Sequence, residues 1–248
     1  MEKAKVYFTD FRTTNGIGLP EKLKKLCRKA GMQTMDMDGK FVAIKIHFGE
    51  LGNIAYLRPN YAKAVADLVK EIGGKPFLTD CNTLYPGSRK NALEHLDCAQ
   101  ENGFNETTTG CHVIIADGLR GTDDVIVPVE GAEYCPEAYI GRAVMDADVF
   151  ISLNHFKGHE CTGFGGALKN IGLFASFDPV ALDQACVDAC LKADPMPNSQ
   201  LSDNLKRPGW YKYSDNFTNS NPNVRWKETL EHAEKIGIGT REYELIKL

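Results

Sequence analysis

Three stretches of this 248-residue chain gather side chains that can do chemistry. Lys45-Ile-His47-Phe-Gly49-Glu50 offers an amine, an imidazole and a carboxylate around a glycine where the backbone can turn. His47 can enter a cleft there as a general acid or base or as a metal ligand, with Glu50 orienting the ring. The plainer alternative is a half-buried histidine at a strand end. Thr79-Asp80-Cys81-Asn82-Thr83-Leu84-Tyr85 packs donors and acceptors into a short turn. Asp80 can ligate a metal or hold a histidine, although an Asx-type turn accounts for the same residues structurally. Cys81 is a thiol with no firm thiolate activator nearby in sequence.

The densest stretch runs from Asn154 to Gly172 and holds His155, Lys157, His159, Cys161, Lys169, Asn170 and five glycines, among them Gly163, Gly165 and Gly166. That many glycines are costly inside a helix, so the sequence predicts a loop. Glycines let backbone N–H groups close on an anion or cofactor. His155 and His159 can chelate one metal. Lys169, ten residues beyond His159, can act as a base or nucleophile in a sheltered site. A structural connection with surface histidines is the alternative. A fourth stretch, around Asp178-Pro179, reads as a helix start, with Asp183 five residues on and able to reach a cleft. Cys186 and Cys190 share one face of that helix and read as core packing.

The elements that must carry these residues alternate between strand and helix. Strands are predicted over 5–9, 41–46, 76–79, 112–116, 124–129 and 148–153. Helices are predicted over 20–30, 59–72, 88–102 (capped by Ser88), 138–145, 179–192 and 224–236, with 194–223 polar and mostly loop. The expectation is an α/β fold with a mostly parallel sheet and helices on both faces, as a single compact unit or two closely packed lobes. In such sheets ligands bind at the carboxyl ends of strands, where the first three stretches fall.

Composition narrows the class further. The chain is 43% hydrophobic and 25% charged, which excludes disorder, and its longest apolar runs fall far short of the ~20 residues of a membrane span. Its net charge of −4, without a basic block, argues against a nucleic-acid partner. Neither an apolar leader nor a C-x-x-C pair occurs among the eight cysteines, so free thiols and a cytoplasmic location are expected.

Taken in order, K-I-H-F-G-E at 45–50, T-D-C-N-T-L-Y at 79–85, N-H-F-K-G-H-E…G-F-G-G-A-L-K-N-I-G at 154–172 and F-A-S-F-D-P-V-A-L-D-Q at 174–184 resemble the DUF362 family. The resemblance extends to Ala233-Glu-Lys-Ile-Gly-Ile-Gly-Thr-Arg-Glu-Tyr-Glu-Leu-Ile and makes residues 1–248 one DUF362-like α/β domain. The family is functionally uncharacterised and often labelled as iron–sulfur centre proteins. Its members commonly carry a ferredoxin-like segment with two 4Fe-4S cluster motifs between the G-G-A-L-K-N loop and the following helix. Here only a few residues separate Asn170 from Ala175, and the cysteine spacing does not support those clusters. The loop from His159 to Lys169 also looks like that of the nickel-dependent lactate racemases, in which a catalytic histidine precedes a cofactor-bearing lysine.

Three functions follow as expectations. In the first, His47, His159 and Lys169 are catalytic. Gly163, Gly165, Gly166, Lys169 and Asn170 hold a divalent metal or metal-bearing cofactor. His47, Asp80, His155 and His159 are its ligands, and an oxidoreductase- or isomerase-type reaction runs on a small molecule, with a redox partner in the full family form. In the second, the chain is a non-catalytic anion- or ligand-binding module whose redox function belonged to the missing ferredoxin segment. In the third it is a redox carrier through Cys81, Cys135 and Cys161. The sequence leaves open whether the chain is catalytic.

Overall fold

The computed structural model describes residues 3–159, 163–166 and 172–248, with the backbone alone for 158–159 and 163–166. It is a mixed α/β structure that divides into two compact units, one of residues 13–154 and one of residues 1–12 with 155–248.

The chain opens with β1 (Ala4–Thr9) and then enters the first unit. There α1 (Leu19–Ala30), β2 (Phe41–Lys45), α2 (Pro59–Glu71), β3 (Lys75–Asp80), α3 (Ala92–Glu101), α4 (Glu106–Thr109) and β4 (His112–Ile115) follow in turn. After them come β5 (Asp124–Pro128), β6 (Glu137–Gly141), α5 (Arg142–Met145) and β7 (Val149–Ser152). Four strands form an all-parallel sheet in the order β4-β3-β2-β7. Successive strand residues point to opposite faces, and Val42, Ala43 and Ile44 are all fully buried, so β2 is covered on both sides. Part of that cover is α2, an amphipathic helix started by Pro59 that buries Ala62, Val65, Ala66, Leu68 and Val69.

Two sequence expectations change here. The helix α3 begins at Ala92, past Ser88, and its cap is Asn91, whose side chain accepts from the Glu94 N–H, while the Ser88 backbone N–H donates to Glu50. The expected helix over 138–145 forms only over Arg142–Met145. Residues 137–141 pair antiparallel with β5, Tyr139 opposite Ile126, as their β-prone alternation allows.

The second unit is built from β1, β8 (Phe156–His159), β9 (Gly163–Gly166), β10 (Leu173–Ala175), α6 (Pro179–Lys192), α7 (Gln200–Lys206), α8 (Asn216–Ser220), α9 (Trp226–Lys235) and β11 (Tyr243–Lys247). In its three-stranded sheet β1 is central, antiparallel to β10 and parallel to β11. Phe156, Val180, Cys186, Val187, Trp226 and Leu230 form its core, so Cys186 is packing, as expected. The glycine-rich stretch is not all loop. The backbones of β8 and β9 pair antiparallel, Phe156 opposite Gly166 and His159 opposite Gly163, since a glycine that breaks a helix still supplies strand hydrogen bonds. The region 194–223 is also not all loop, because Ser199 and Asp215 cap α7 and α8 through their side chains.

Asp178 caps α6 through the Ala181 N–H at 2.9 Å and also accepts the Thr240 N–H at 2.9 Å. It thereby ties the turn before β11 to the helix, and a Cβ at Gly239 would lie only 2.2 Å from its carboxylate. Asp178→Ala removes both bonds and is expected to cost about 2 kcal/mol of stability, read as a lower urea midpoint. Among the described residues, no helix is long and apolar enough to cross a membrane, and the cysteines are free thiols.

Candidate functional site

The carboxyl ends of the parallel strands carry the polar residues of the first unit. Lys45 ends β2 and Asp80 ends β3, while Asp117 and Asn154 follow β4 and β7. Just past β2 the chain turns at Gly49, whose φ of +90° suits glycine and whose N–H donates to His47 Nδ1 at 2.8 Å. That bond places the proton of the neutral ring on Nε2, since a proton on Nδ1 would meet the amide N–H head-on. His47 is half-buried. Phe48 beyond it is fully buried and packs edge-on against Phe104, which fixes the backbone on which the imidazole stands.

Arg89 organises the neighbouring loop. Its side chain is only 4% exposed and reaches Glu50 at 3.3 Å, Asp80 at 3.6 Å and the Tyr85 hydroxyl at 2.9 Å. Lys45 stands 3.5 Å from the other oxygen of Asp80. Burial raises the Asp80 carboxyl above its ordinary range, and Lys45, the Cys81 N–H and Arg89 oppose that rise. Burial also acts on Glu50, but the Ser88 N–H at 2.6 Å and Arg89 outweigh it and hold the carboxyl below its usual range. Glu50 therefore orients the Arg89 loop, and its described partners do not include the His47 ring.

A second set closes the turn after β3. The Asn82 backbone N–H and side-chain amide both donate to Asp117, at 3.0 and 2.9 Å, and the amide also reaches the Gly118 carbonyl. Asn82 is thus held by Asp117, just past the neighbouring strand β4, and not by an acceptor within 79–85. Beside it, burial and then Asp117 and Asp80 push the Cys81 thiol up, away from thiolate character.

Beneath this surface lies His95 on α3, fully buried and edge-on to Phe48 at 5.6 Å. Burial, with Arg89 and His47 beside it, brings its imidazole from an ordinary 6.5 down to about 4. The unfolded chain thus takes up a proton below pH 6.5 that the folded unit refuses until about pH 4. Stability from this group is intact above pH 6.5 and falls by about 3 kcal/mol towards pH 4. Asp183 in the other unit runs the opposite way. Burial raises it to about 6, so its contribution is present in acid and lost as pH rises through that value. The difference in urea midpoint between wild type and His95→Phe, followed from pH 7 to pH 4.5, isolates the histidine and should shift in favour of the variant as pH falls.

The structure brings His47, Asp80, Glu50 and Lys45 to one edge of one sheet. His155 is half-buried in the other unit. The backbones of His159, Gly163, Gly165 and Gly166 belong to the β8–β9 ribbon. The His159 side chain, Cys161, Lys169 and Asn170 lie outside the described residues. Among the described residues no group of three His, Cys, Asp or Glu side chains stands as a metal-ligand set. Burial pushes the Cys27 thiol up to about 11 and the Cys190 thiol up to about 12, so both stand as protonated packing thiols in the metal-free chain. Arg89, Asp117 and His95 escaped sequence reasoning. For Arg89 the available signal was a basic residue four positions beyond the 79–85 stretch that carries Asp80.

Fold and site together define an α/β protein whose parallel sheet carries a polar, charge-paired cluster at its carboxyl edge. The chain belongs to the DUF362 family, described as a domain of unknown function, whose family model matches residues 42–173, more than half of its length. It is similar to the "Thylakoid-associated protein sll1697" of Synechocystis sp. (strain ATCC 27184 / PCC 6803 / Kazusa), at 29% identity over 126 residues. That match covers 48% of this chain and 33% of the relative, so the chain spans about a third of the curated protein it matches. The likeness to nickel-dependent lactate racemases falls largely on residues outside the description and carries no further argument.

Proposed function

We propose that the 13–154 unit binds a small oxygen-bearing molecule at the carboxyl ends of β2 and β3, and that His47 acts on it as the acid–base group of a proton-transfer reaction. The observation that carries this reading is the 2.8 Å bond from the Gly49 N–H to His47 Nδ1, which makes Nε2 the proton-bearing atom. An Nε2–H group can polarise a carbonyl or stabilise an enolate oxygen by donating a hydrogen bond to it, and the Lys45 ammonium on the same edge can offset the negative charge that develops. A metal at Nε2 would have to displace that proton, so the reading favours His47 as a donor over His47 as a ligand.

The remaining roles rest on residue chemistry. Gly163, Gly165, Gly166, Lys169 and Asn170 would hold an anionic or metal-bearing cofactor, with His155 and His159 as imidazole ligands. Oxidoreductase chemistry and a redox partner depend on that half of the proposal. A cytoplasmic location is part of the same reading, supported by the free thiols among the described cysteines.

The test is a titration of isotope-labelled protein with pyruvate and glycolate, together with metal analysis of protein purified without chelator. Saturable shifts at Lys45, His47 and Asp80 that vanish in His47→Ala support the acid–base site. Shifts that are absent, or unchanged by that substitution, overturn it. Metal retained by wild type and lost in His159→Ala supports the cofactor half, and protein that never retains metal overturns that half.

One observation favours a non-catalytic binding module instead. Arg89 already spends its donors on Glu50, Asp80 and Tyr85, as a structural arginine would. Binding that survives His47→Ala but is lost in Lys45→Met identifies that alternative.

A further inference from the structure

His95 has no exposed surface, and neither of its ring nitrogens has a hydrogen-bond partner among the described residues. A neutral imidazole carries one N–H donor and one bare acceptor nitrogen. Burying both dry is unfavourable, and a phenylalanine or leucine would fill the same space without that cost. Buried polar groups are otherwise almost always paired, so an orphan donor and acceptor on one ring call for a guest that completes them. The guest's chemistry follows from the surroundings. The Phe48 ring forms one wall. Arg89, His47, Lys45 and Glu50 are the charged and titratable groups that act on the imidazole. Among the described residues no second and third ligand completes a cation site around it. What remains is one neutral group that donates to the bare nitrogen and another that accepts from the N–H, each within the capacity of a hydroxyl.

We propose that His95 lines an internal hydroxyl-binding site beneath the carboxyl edge of the parallel sheet, holding hydroxyl groups at its two ring nitrogens. Their source is either internal water or the hydroxyl of a small ligand. The site goes beyond the role given to His47 and stands whether or not His47 is catalytic.

Histidine-labelled wild-type protein at pH 7 tests this with long-range proton–nitrogen spectra and water-selected cross-relaxation, repeated during a titration with ethylene glycol. Cross-relaxation between the His95 ring and water, unaltered by the glycol, establishes water as the guest. A saturable response of the ring to the glycol establishes an organic hydroxyl. Absence of both overturns the proposal. Substitution supplies a second readout that a space-filling histidine would not give. The site predicts that His95→Phe lowers the urea midpoint at pH 7 and that His95→Gln, which keeps a donor and an acceptor, recovers part of the loss. A His95→Phe protein at least as stable as wild type at that pH would also overturn the proposal, and if it fails to fold the wild-type spectra decide alone.

Discussion

Arg89→Met is expected to destabilise the 13–154 unit by about 3 kcal/mol or more, since removing one partner of a buried ion pair leaves the other charge uncompensated. The guanidinium is 4% exposed and Asp80 only 10%, so neither is well placed to recover its hydration. Lys45 remains 3.5 Å from Asp80 and compensates in part. The loss should also shrink in acid. Without Arg89 the Asp80 carboxyl rises further, and once it is protonated in both folded and unfolded chains the missing cation no longer matters. Urea midpoints at pH 7 and pH 4, for variant and wild type, give both the size and the sign. A variant within about 0.5 kcal/mol of wild type at pH 7 would mean that the network contributes nothing net.

Gly49→Ala should have a similar effect for a different reason. At φ +90° an alanine is strained by its backbone alone, at about 1–2 kcal/mol. Its Cβ would also sit 2.6 Å from Asn102 Nδ2 and 2.8 Å from the Tyr56 ring. Asn102 cannot give way freely, because that nitrogen donates to the Phe48 carbonyl at 2.9 Å. Overpacking adds a further 1–3 kcal/mol, for an expected total of about 3 kcal/mol. The substitution also disturbs the amide that faces His47, so the ring resonances of His47 should move far more than those of a remote histidine such as His232. An unmoved His47 signal in a folded variant would show that the Gly49 N–H does not set the tautomer.

The sheet was legible wherever the residues were apolar on both faces. The run from Phe41 to Ile46 and the helix begun by Pro59 carry signals that tertiary context has no reason to override. Legibility failed where backbone pairing or polar capping decided. Residues 137–141 carry a helix-compatible pattern, yet they serve as the partner strand of β5. The short helices in 194–223 depend on single side-chain caps rather than on an apolar stripe.

Within α3 the pattern actively misleads. Leu93 is 65% exposed while His95 is fully buried, so the face that hydropathy would turn inward faces out. At the site, His47 and Asp80 could be found because a strand end is a place to look. The burial of Arg89 could not, because it depends on Glu50 arriving from the end of β2 beside Asp80 at the end of β3. The reading of His159 and Lys169 rests on residue type and spacing alone.

The pairing of β1 with β11 bears on how the polypeptide is made. The 1–12 and 155–248 unit joins a strand near the start of the sequence to one that ends at Lys247, with all of 13–154 intervening. As the chain leaves the ribosome, the four parallel strands have all emerged while β1 still lacks its parallel neighbour. Folding in the order of synthesis therefore favours the sheet that bears His47 and Asp80, and leaves that edge of β1 waiting until β11 is made.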